Sequence, residues 1–438
     1  MCPAVMRRSL GVLVCLLLAA HSLRFGDFGL SGAWLGLGGL VLTRQAWVRW
    51  VVAAACLWGV WIWGTTTVEL VQFRLALGAP WARLAGILGT VFTVTAATGW
   101  LFVHSSAERI SPRHRSQQGP LAAIFLLTVV LLALARRSTP FPILLADRFW
   151  PGSGWLEILV LGLYAVWAGT KFLDPEQRLQ WRPRLWGFFS VVFFAQLALG
   201  LAGLEQFLMS GDLHLPVPAL IAAGPVYRGG GLFMPVLFTV TVLLVGPAWC
   251  SHLCYIGAWD DGLSRSGGKR PAAPPRWTLW LRLILLFVVV ATAWGLRALG
   301  LEPRLAVAMA GGFGLAGVAV MLVGSRRQGM MVHCTTFCPI GIVANILSRL
   351  SPWRLRIGSG CSRCGRCQRV CRYNALDTED FERGRPGLAC TLCGDCLAAC
   401  PEGQLRLDFP GLSAGAAHQA FVVLIVALHA VFLGVARI

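Results

Sequence analysis

Fifteen cysteines stand among 438 residues, and their spacing carries the chemistry. Cys361, Cys364, Cys367 and Cys371 read C-x2-C-x2-C-x3-C. Cys390, Cys393, Cys396 and Cys400 repeat that run, followed by Pro401. Two further pairs, Cys250 with Cys254 and Cys334 with Cys338, are Cys-x3-Cys, while Cys2, Cys15 and Cys56 stand apart. Scattered cysteines in apolar runs behave as small hydrophobes. Grouped ones are metal ligands or disulfides. Loops of two and three residues wrap three thiolates around one face of an inorganic centre. Zinc also takes Cys-x2-Cys pairs, but two identical quartets fit two iron–sulfur cubanes better.

The run is that of bacterial two-cluster ferredoxins, in which the fourth cysteine of each run ligates the other cluster. Cluster 1 is then expected on Cys361, Cys364, Cys367 and Cys400, and cluster 2 on Cys390, Cys393, Cys396 and Cys371. Arg372, not proline, follows Cys371, and Arg363, Arg366 and Arg369 crowd the first run. Positive charge near a cluster raises its potential. The same arginines also read as solvated loop charges, or as a docking surface for an acidic partner.

The Cys-x3-Cys pairs belong to an internal repeat. Around Cys250 the chain reads Trp-Cys-Ser-His-Leu-Cys-Tyr-Ile-Gly, and around Cys334 His-Cys-Thr-Thr-Phe-Cys-Pro-Ile-Gly. The repeating unit is a helical hairpin followed by a cysteine pair, over 185–257 and 277–341. On a helix, positions i and i+4 share a face. Cys250, Cys254, Cys334 and Cys338 can thus form a four-thiolate site for a third cluster or another metal, or two thiol pairs without metal. His252 and His333 could replace or tune a ligand there, or be structural.

The elements that must position these groups span a membrane. The chain is 56% hydrophobic, with 19 Trp and 23 Phe, and only 13% charged, against about 25% in soluble domains. This excludes an ordinary soluble enzyme, a disordered chain and a secreted disulfide scaffold. A spanning helix needs roughly 20 apolar residues. Candidate spans lie near 9–23, 28–43, 46–64, 77–103, 120–135, 153–173, 185–208, 231–250, 277–300, 305–324 and 412–435, about 11 in all. The fold class expected is an all-α polytopic membrane protein with a small bacterial two-cluster ferredoxin-like domain. Its organisation reads as a membrane domain of about six helices over 1–180, the two cysteine-tipped hairpins over 181–356, the ferredoxin domain over 357–411 and a last transmembrane helix over 412–438. Met6-Arg7-Arg8 and the following apolar run also mimic a signal peptide; a retained anchor is favoured.

The formal net charge is +19, with Lys171 and Lys269 the only lysines. In a membrane protein basic residues collect in cytoplasmic loops, so nucleic acid is not the expected partner. Connectors 104–119 (Arg109, Arg113, Arg115), 174–184 (Arg178, Arg182, Arg184), 251–276 (Arg265, Lys269, Arg270, Arg276) and 325–357 (Arg326, Arg327, Arg349, Arg354, Arg356) fall on one side if eleven spans alternate. That side is read as the cytoplasm, which makes disulfides in the ferredoxin domain unfavourable. Connector 136–152, with Arg136, Arg137 and Arg148, argues mildly against this.

The stretch from about 185 to 410 resembles the NapH/MauN family of membrane ferredoxins, to which the membrane parts of NosR-type and CcoG-type proteins are related. The shared features are paired transmembrane hairpins, each ending in C-x3-C-P, followed by a two-cluster ferredoxin module. Cys334, Cys338 and Pro339 keep the motif; in the first copy Tyr255 stands in place of proline. The resemblance covers about half of the chain. It implies electron transfer at the bacterial inner membrane, linking the quinone pool to a partner redox protein; the loop charges place the ferredoxin domain in the cytoplasm. NosR-like proteins add an external flavin domain; this sequence has neither a Ser/Asp-Gly-Ala-Thr flavin attachment motif nor a Cys-x-x-Cys-His haem motif. The rival readings are a membrane metal reductase serving cofactor assembly, with the Cys-x3-Cys pairs holding the substrate metal, and a redox sensor with structural clusters.

Other candidates are weaker. His418 and His429, eleven apart on the last span, share a face and could ligate a b-type haem or be buried structural groups. The expected external loop 205–228 holds Glu205, Asp212, His214, Tyr227 and Arg228, groups of the kind a quinol site needs. Glu69 and Glu157 are carboxylates in or near spans, where such groups are costly and often functional.

Overall fold

The computed structural model describes residues 3–43, 45–104, 112–208, 215–268, 271 and 277–435. Cys2, Arg109, Asp212, His214, Lys269, Arg270 and Arg276 lie outside the described residues, as do the side chains of Arg113 and Arg115. The chain forms two compact units, 1–167 and 168–438.

The first unit is built from α1 (Pro3–Arg24), α2 (Phe28–Leu42), α3 (Val48–Ala76), α4 (Ala82–Val103), α5 (Pro112–Ser138), the short α6 (Leu145–Phe149) and most of α7 (Gly154–Leu173). Small residues set its packing, as expected where lipid offers helices no competing hydrophobic drive. A Cβ on Gly32 or Gly36 would strike Leu156 or Leu159 of α7, and one on Gly59 would crowd Leu18 and Thr95. Ser31 donates across the first hairpin to the Ala19 carbonyl at 2.9 Å. Asp27 caps α2 by accepting from the Leu30 N–H at 2.9 Å. The α5–α7 connection is tied by Asp147, which accepts from Arg136 at 2.6 Å and from the N–H groups of Gly154 and Gly152 at 2.8 and 3.1 Å.

The second unit starts with α8 (Pro175–Leu201), whose Asp174 cap and first-turn proline follow α7 directly. The expected connector 174–184 is therefore helical, and Arg178, Arg182 and Arg184 are helix residues. The chain then forms α9 (Leu220–Arg228), α10 (Phe233–Val245), α11 (Trp249–His252), α12 (Tyr255–Ser266), α13 (Thr278–Ala298), α14 (Pro303–Val320), α15 (Arg326–Gln328) and α16 (Pro339–Leu347). Wide π turns interrupt it at Met321–Ser325 and His333–Phe337.

The cysteine-rich segment follows. Strands β1 (Arg354–Ile357) and β2 (Leu405–Asp408) pair antiparallel, Arg354 opposite Asp408. Between them lie the short helices α17 (Arg366–Val370), α18 (Thr378–Glu382) and α19 (Asp395–Ala399). The chain returns through α20 (Ala414–Val435). Trp353 anchors the segment on the helices: its ring packs on Phe421 and its Nε1–H donates to the Leu244 carbonyl at 2.7 Å.

The fold class is the expected one, an all-α multi-pass membrane protein with a small ferredoxin-like domain near its C-terminus. Among the described residues ten helices are long and apolar enough to cross a membrane. The expected eleventh, α2, has only 15 residues, about 22 Å at 1.5 Å per residue, against a hydrocarbon core of about 30 Å.

Candidate functional site

The two Cys-x3-Cys pairs come together. Cys250, Cys254, Cys334 and Cys338 line one cavity, with Pro218, Trp249, Arg282, Asn345, Tyr373 and Thr391 among its other walls. Neither pair is carried on one helix, so the helical i, i+4 reasoning is corrected. Cys250 lies on α11 and Cys334 in a π turn, whereas Cys254 and Cys338 are extended residues capping α12 and α16. Each capping sulfur faces two N–H groups of the following helix, Ile256 and Gly257 in one copy, Ile340 and Gly341 in the other. A helix start is a natural seat for a thiolate.

The repeat is also a repeat of contacts. A Cβ on Gly257 would lie 2.9 Å from the Cys250 carbonyl oxygen, and one on Gly341 3.1 Å from that of Cys334. Trp186 Nε1–H donates to the Cys254 carbonyl at 2.9 Å, and Arg282 Nε–H to that of Cys338 at 3.4 Å. Both side chains also press on their repeat's glycine. Asp260 ties the copies together, accepting from Ser325 Oγ and, at 2.9 Å, from the Cys334 N–H. Burial raises its carboxyl to about 6.

In the ferredoxin segment Cys371 lies beside Cys390, Cys393 and Cys396, and all four line a second cavity with Leu355, Tyr373 and Leu376. Cys367 lies beside Cys361 and Cys400. The fourth cysteine of each run thus faces the other run. The two loops share a backbone pattern, with positive φ at Arg363 and Gly365 (54° and 72°) and at Leu392 and Gly394 (52° and 80°). Tyr373 and Thr391 line both cavities, so the membrane quartet and the Cys371 quartet share a wall. Tyr373 is buried, its hydroxyl 3.4 Å from the Cys250 carbonyl oxygen.

This donor set suits an iron–sulfur group. Burial pushes the Cys254 and Cys390 thiols up to about 12, so they stay protonated until a metal displaces the proton. The buried Thr391 hydroxyl has no hydrogen-bond partner among the described residues, as expected of a group facing a ligand. Among the described residues no three His, Cys, Asp or Glu side chains converge closely enough for one metal ion. The membrane quartet and the Cys371 quartet each line a cavity.

Buried charges flank the quartets, and these the sequence reading missed. Arg182, 1% exposed, donates to Asp395 at 2.7 and 2.9 Å and to Asp261 at 3.0 Å. Arg265 donates to the same two carboxylates at 2.8 Å. Burial alone would raise the Asp395 carboxyl, but Arg182 and Arg265 hold it below the usual aspartate value. Arg178, also 1% exposed, lies against Gly394 and bonds His418 at 2.8 Å. The i, i+4 spacing of Arg178 and Arg182 was the available signal.

The remaining candidates are dispersed. His418 bonds Arg178, while His429 packs on Phe189 and lies 3.3 Å from the His252 carbonyl oxygen. His252 bonds Ser251 at 3.0 Å through Nδ1. His333 is buried against Phe337 and lies beside Gly317 of α14. Glu69 is exposed; Glu157 accepts from the Ala146 N–H at 2.7 Å. Of the segment expected as an external loop over 205–228, residues 217–228 fold back against the helices. Val217 meets Gly314 within α14, α9 packs along α13, and Pro218 reaches the four-cysteine cavity. Its apolar Leu-Ile-Ala-Ala-Gly run makes this burial favourable. Tyr227 bonds the Leu301 carbonyl at 3.3 Å.

Residues 360–405 match the family model of the 4Fe-4S dicluster domain, and residues 227–272 and 310–358 match that of a 4Fe-4S binding domain. The chain carries 4Fe–4S ferredoxin domains. The second match falls on both hairpins that bear the membrane cysteine pairs. Over 224 residues, 45% of this chain and 61% of the relative, the sequence is 25% identical to "Putative electron transport protein YccM" of Escherichia coli (strain K12). Over 79 residues, 18% of this chain and 30% of the relative, it is 29% identical to "Uncharacterized protein MJ0749" of Methanocaldococcus jannaschii. The chain thus matches less than two thirds of either relative's length. No solved structure matches. The fold and these similarities support an iron–sulfur electron transport protein of the membrane.

Proposed function

We propose that this protein moves electrons between the membrane quinone pool and a partner redox protein, in the manner of NapH/MauN-type quinol dehydrogenase subunits. In this reading Cys361, Cys364, Cys367 and Cys400 hold cluster 1, and Cys390, Cys393, Cys396 and Cys371 hold cluster 2. Cys250, Cys254, Cys334 and Cys338 hold a third centre. When bound, such clusters supply one-electron carriers. The observation that carries the reading is the shared wall: Tyr373 and Thr391 line both the membrane cavity and the Cys371 cavity, which makes a short route from membrane to ferredoxin domain.

The protein's own groups serve that route. Leu355, Leu376, Leu392 and Leu397 keep water from the Cys371 quartet. Arg282 faces Cys250, Cys334 and Cys338, and Arg178 and Arg182 face Cys393; each buried cation offsets thiolate charge. The domain division 1–180, 181–356, 357–411 and 412–438 belongs to the same proposal. So does a bacterial inner-membrane location with the ferredoxin domain in the cytoplasm.

The test is anaerobic protein in detergent, mixed with a quinol and followed by EPR. Reduction of the cluster signals, abolished by a quinone-site inhibitor, is expected. Signals reduced by a soluble low-potential donor but never by quinol would refute the quinone link.

A further inference from the structure

The ferredoxin cysteines are unequally covered. Cys371 and Cys396 are buried, and their quartet faces α8, the helix that carries Arg178 and Arg182. In the other quartet Cys361 and Cys400 are partly open and Cys364 is exposed, the one exposed cysteine among the described residues. Around Cys364 stand Arg363, Arg366 and Arg369, all exposed. Arg363 is 3.9 Å from Glu382 in an open pair, a contact of little energy. Arg366 and Arg369 have no ion-pair partner among the described residues. On the inward face, by contrast, Asp395 and Asp261 are fully used by Arg182 and Arg265.

We propose that the arginine-rimmed face around Cys364 is the docking surface for a small, acidic, soluble electron-carrier protein. The inference rests on the cluster reading above. Electron tunnelling falls steeply with distance, so a soluble protein must approach the outermost quartet; the other two lie behind it. Unpaired guanidinium groups steer an acidic surface to that spot and orient it there. They repel a basic carrier.

The test uses the full chain in neutral-lipid nanodiscs, after EPR has verified its clusters, with a small acidic 2Fe–2S ferredoxin as probe and a basic cytochrome c as control. The ferredoxin is expected to bind, weakening about tenfold between about 20 and 200 mM salt, while the cytochrome does not bind. Arg366→Ser with Arg369→Ser is expected to weaken ferredoxin binding about tenfold with cluster signals unchanged. If that variant loses its clusters, Arg369→Gln alone is expected to give a loss of about threefold. Equal binding of cytochrome c, salt-independent binding, capture by anionic vesicles in place of ferredoxin, or unchanged affinity in the variants would overturn the proposal. A preparation without iron would instead sink the cluster reading.

Discussion

Arg182 joins the membrane helices to the ferredoxin domain. It lies in the first turns of α8, yet it is buried and bonded to Asp395 and Asp261. A buried ion pair adds little net stability, but removing one partner strands a charge and costs about 3–5 kcal/mol. Arg182→Met should therefore loosen the ferredoxin domain, read as faster proteolysis within 354–408 and a lower melting temperature. Protection equal to wild type would show that Trp353 and its neighbours hold the domain alone. A second residue-scale expectation concerns Asp147. Burial alone would raise its carboxyl, but the Arg136 hydrogen bond and charge and the Gly154 and Gly152 N–H groups hold it below 3.8. A depressed folded value means that its contribution is present above the unfolded value and lost as pH falls through the folded one. Asp147→Asn should flatten the acid limb of the stability curve below pH about 4 and leave neutral-pH behaviour less changed; an identical acid limb would contradict this. Residue chemistry was only partly legible in the sequence. The twelve grouped cysteines announced themselves by spacing. Arg178 and Arg182 did not, because an arginine near a span end reads first as a loop charge, and only the distant Asp261 and Asp395 reveal it as buried.

At the scale of elements, the repeat Cys-x3-Cys-x-Ile-Gly is a helix break with a function. The second cysteine caps the next helix, and the glycine lets that helix press on the carbonyl of the first. A Cβ on Gly257 meets Trp186 and the Cys250 carbonyl, neither of which can swing away, whereas at Gly341 the first obstacle is the flexible end of Arg282. Gly257→Ala should therefore remove the membrane centre and spare both ferredoxin clusters, so iron falls by about one third, whereas Gly341→Ala should be milder. Full iron in Gly257→Ala would contradict this packing account. The hairpins and most spans were legible from apolar runs. The π turns, the return of 217–228 between α13 and α14, and the fusion of 174–184 into α8 were not. These depend on tertiary packing, to which a run of apolar residues is blind.

At the scale of the whole molecule, the proposed function places three cysteine quartets in series, with Tyr373 and Thr391 in the wall shared by the membrane cavity and the Cys371 cavity. The first unit is held by its glycine-packed helices. Its Cys15 and Cys56 are buried, in keeping with small apolar packing groups. The most direct test is a redox-poised EPR titration of the anaerobically purified full chain, with iron and sulfide counted on the same sample. The account predicts about 12 irons and three centres, with the membrane centre and cluster 2 broadening each other's signals when both are reduced. About 8 irons, with two ferredoxin signals insensitive to replacing Cys250 and Cys334 by serine, would contradict it.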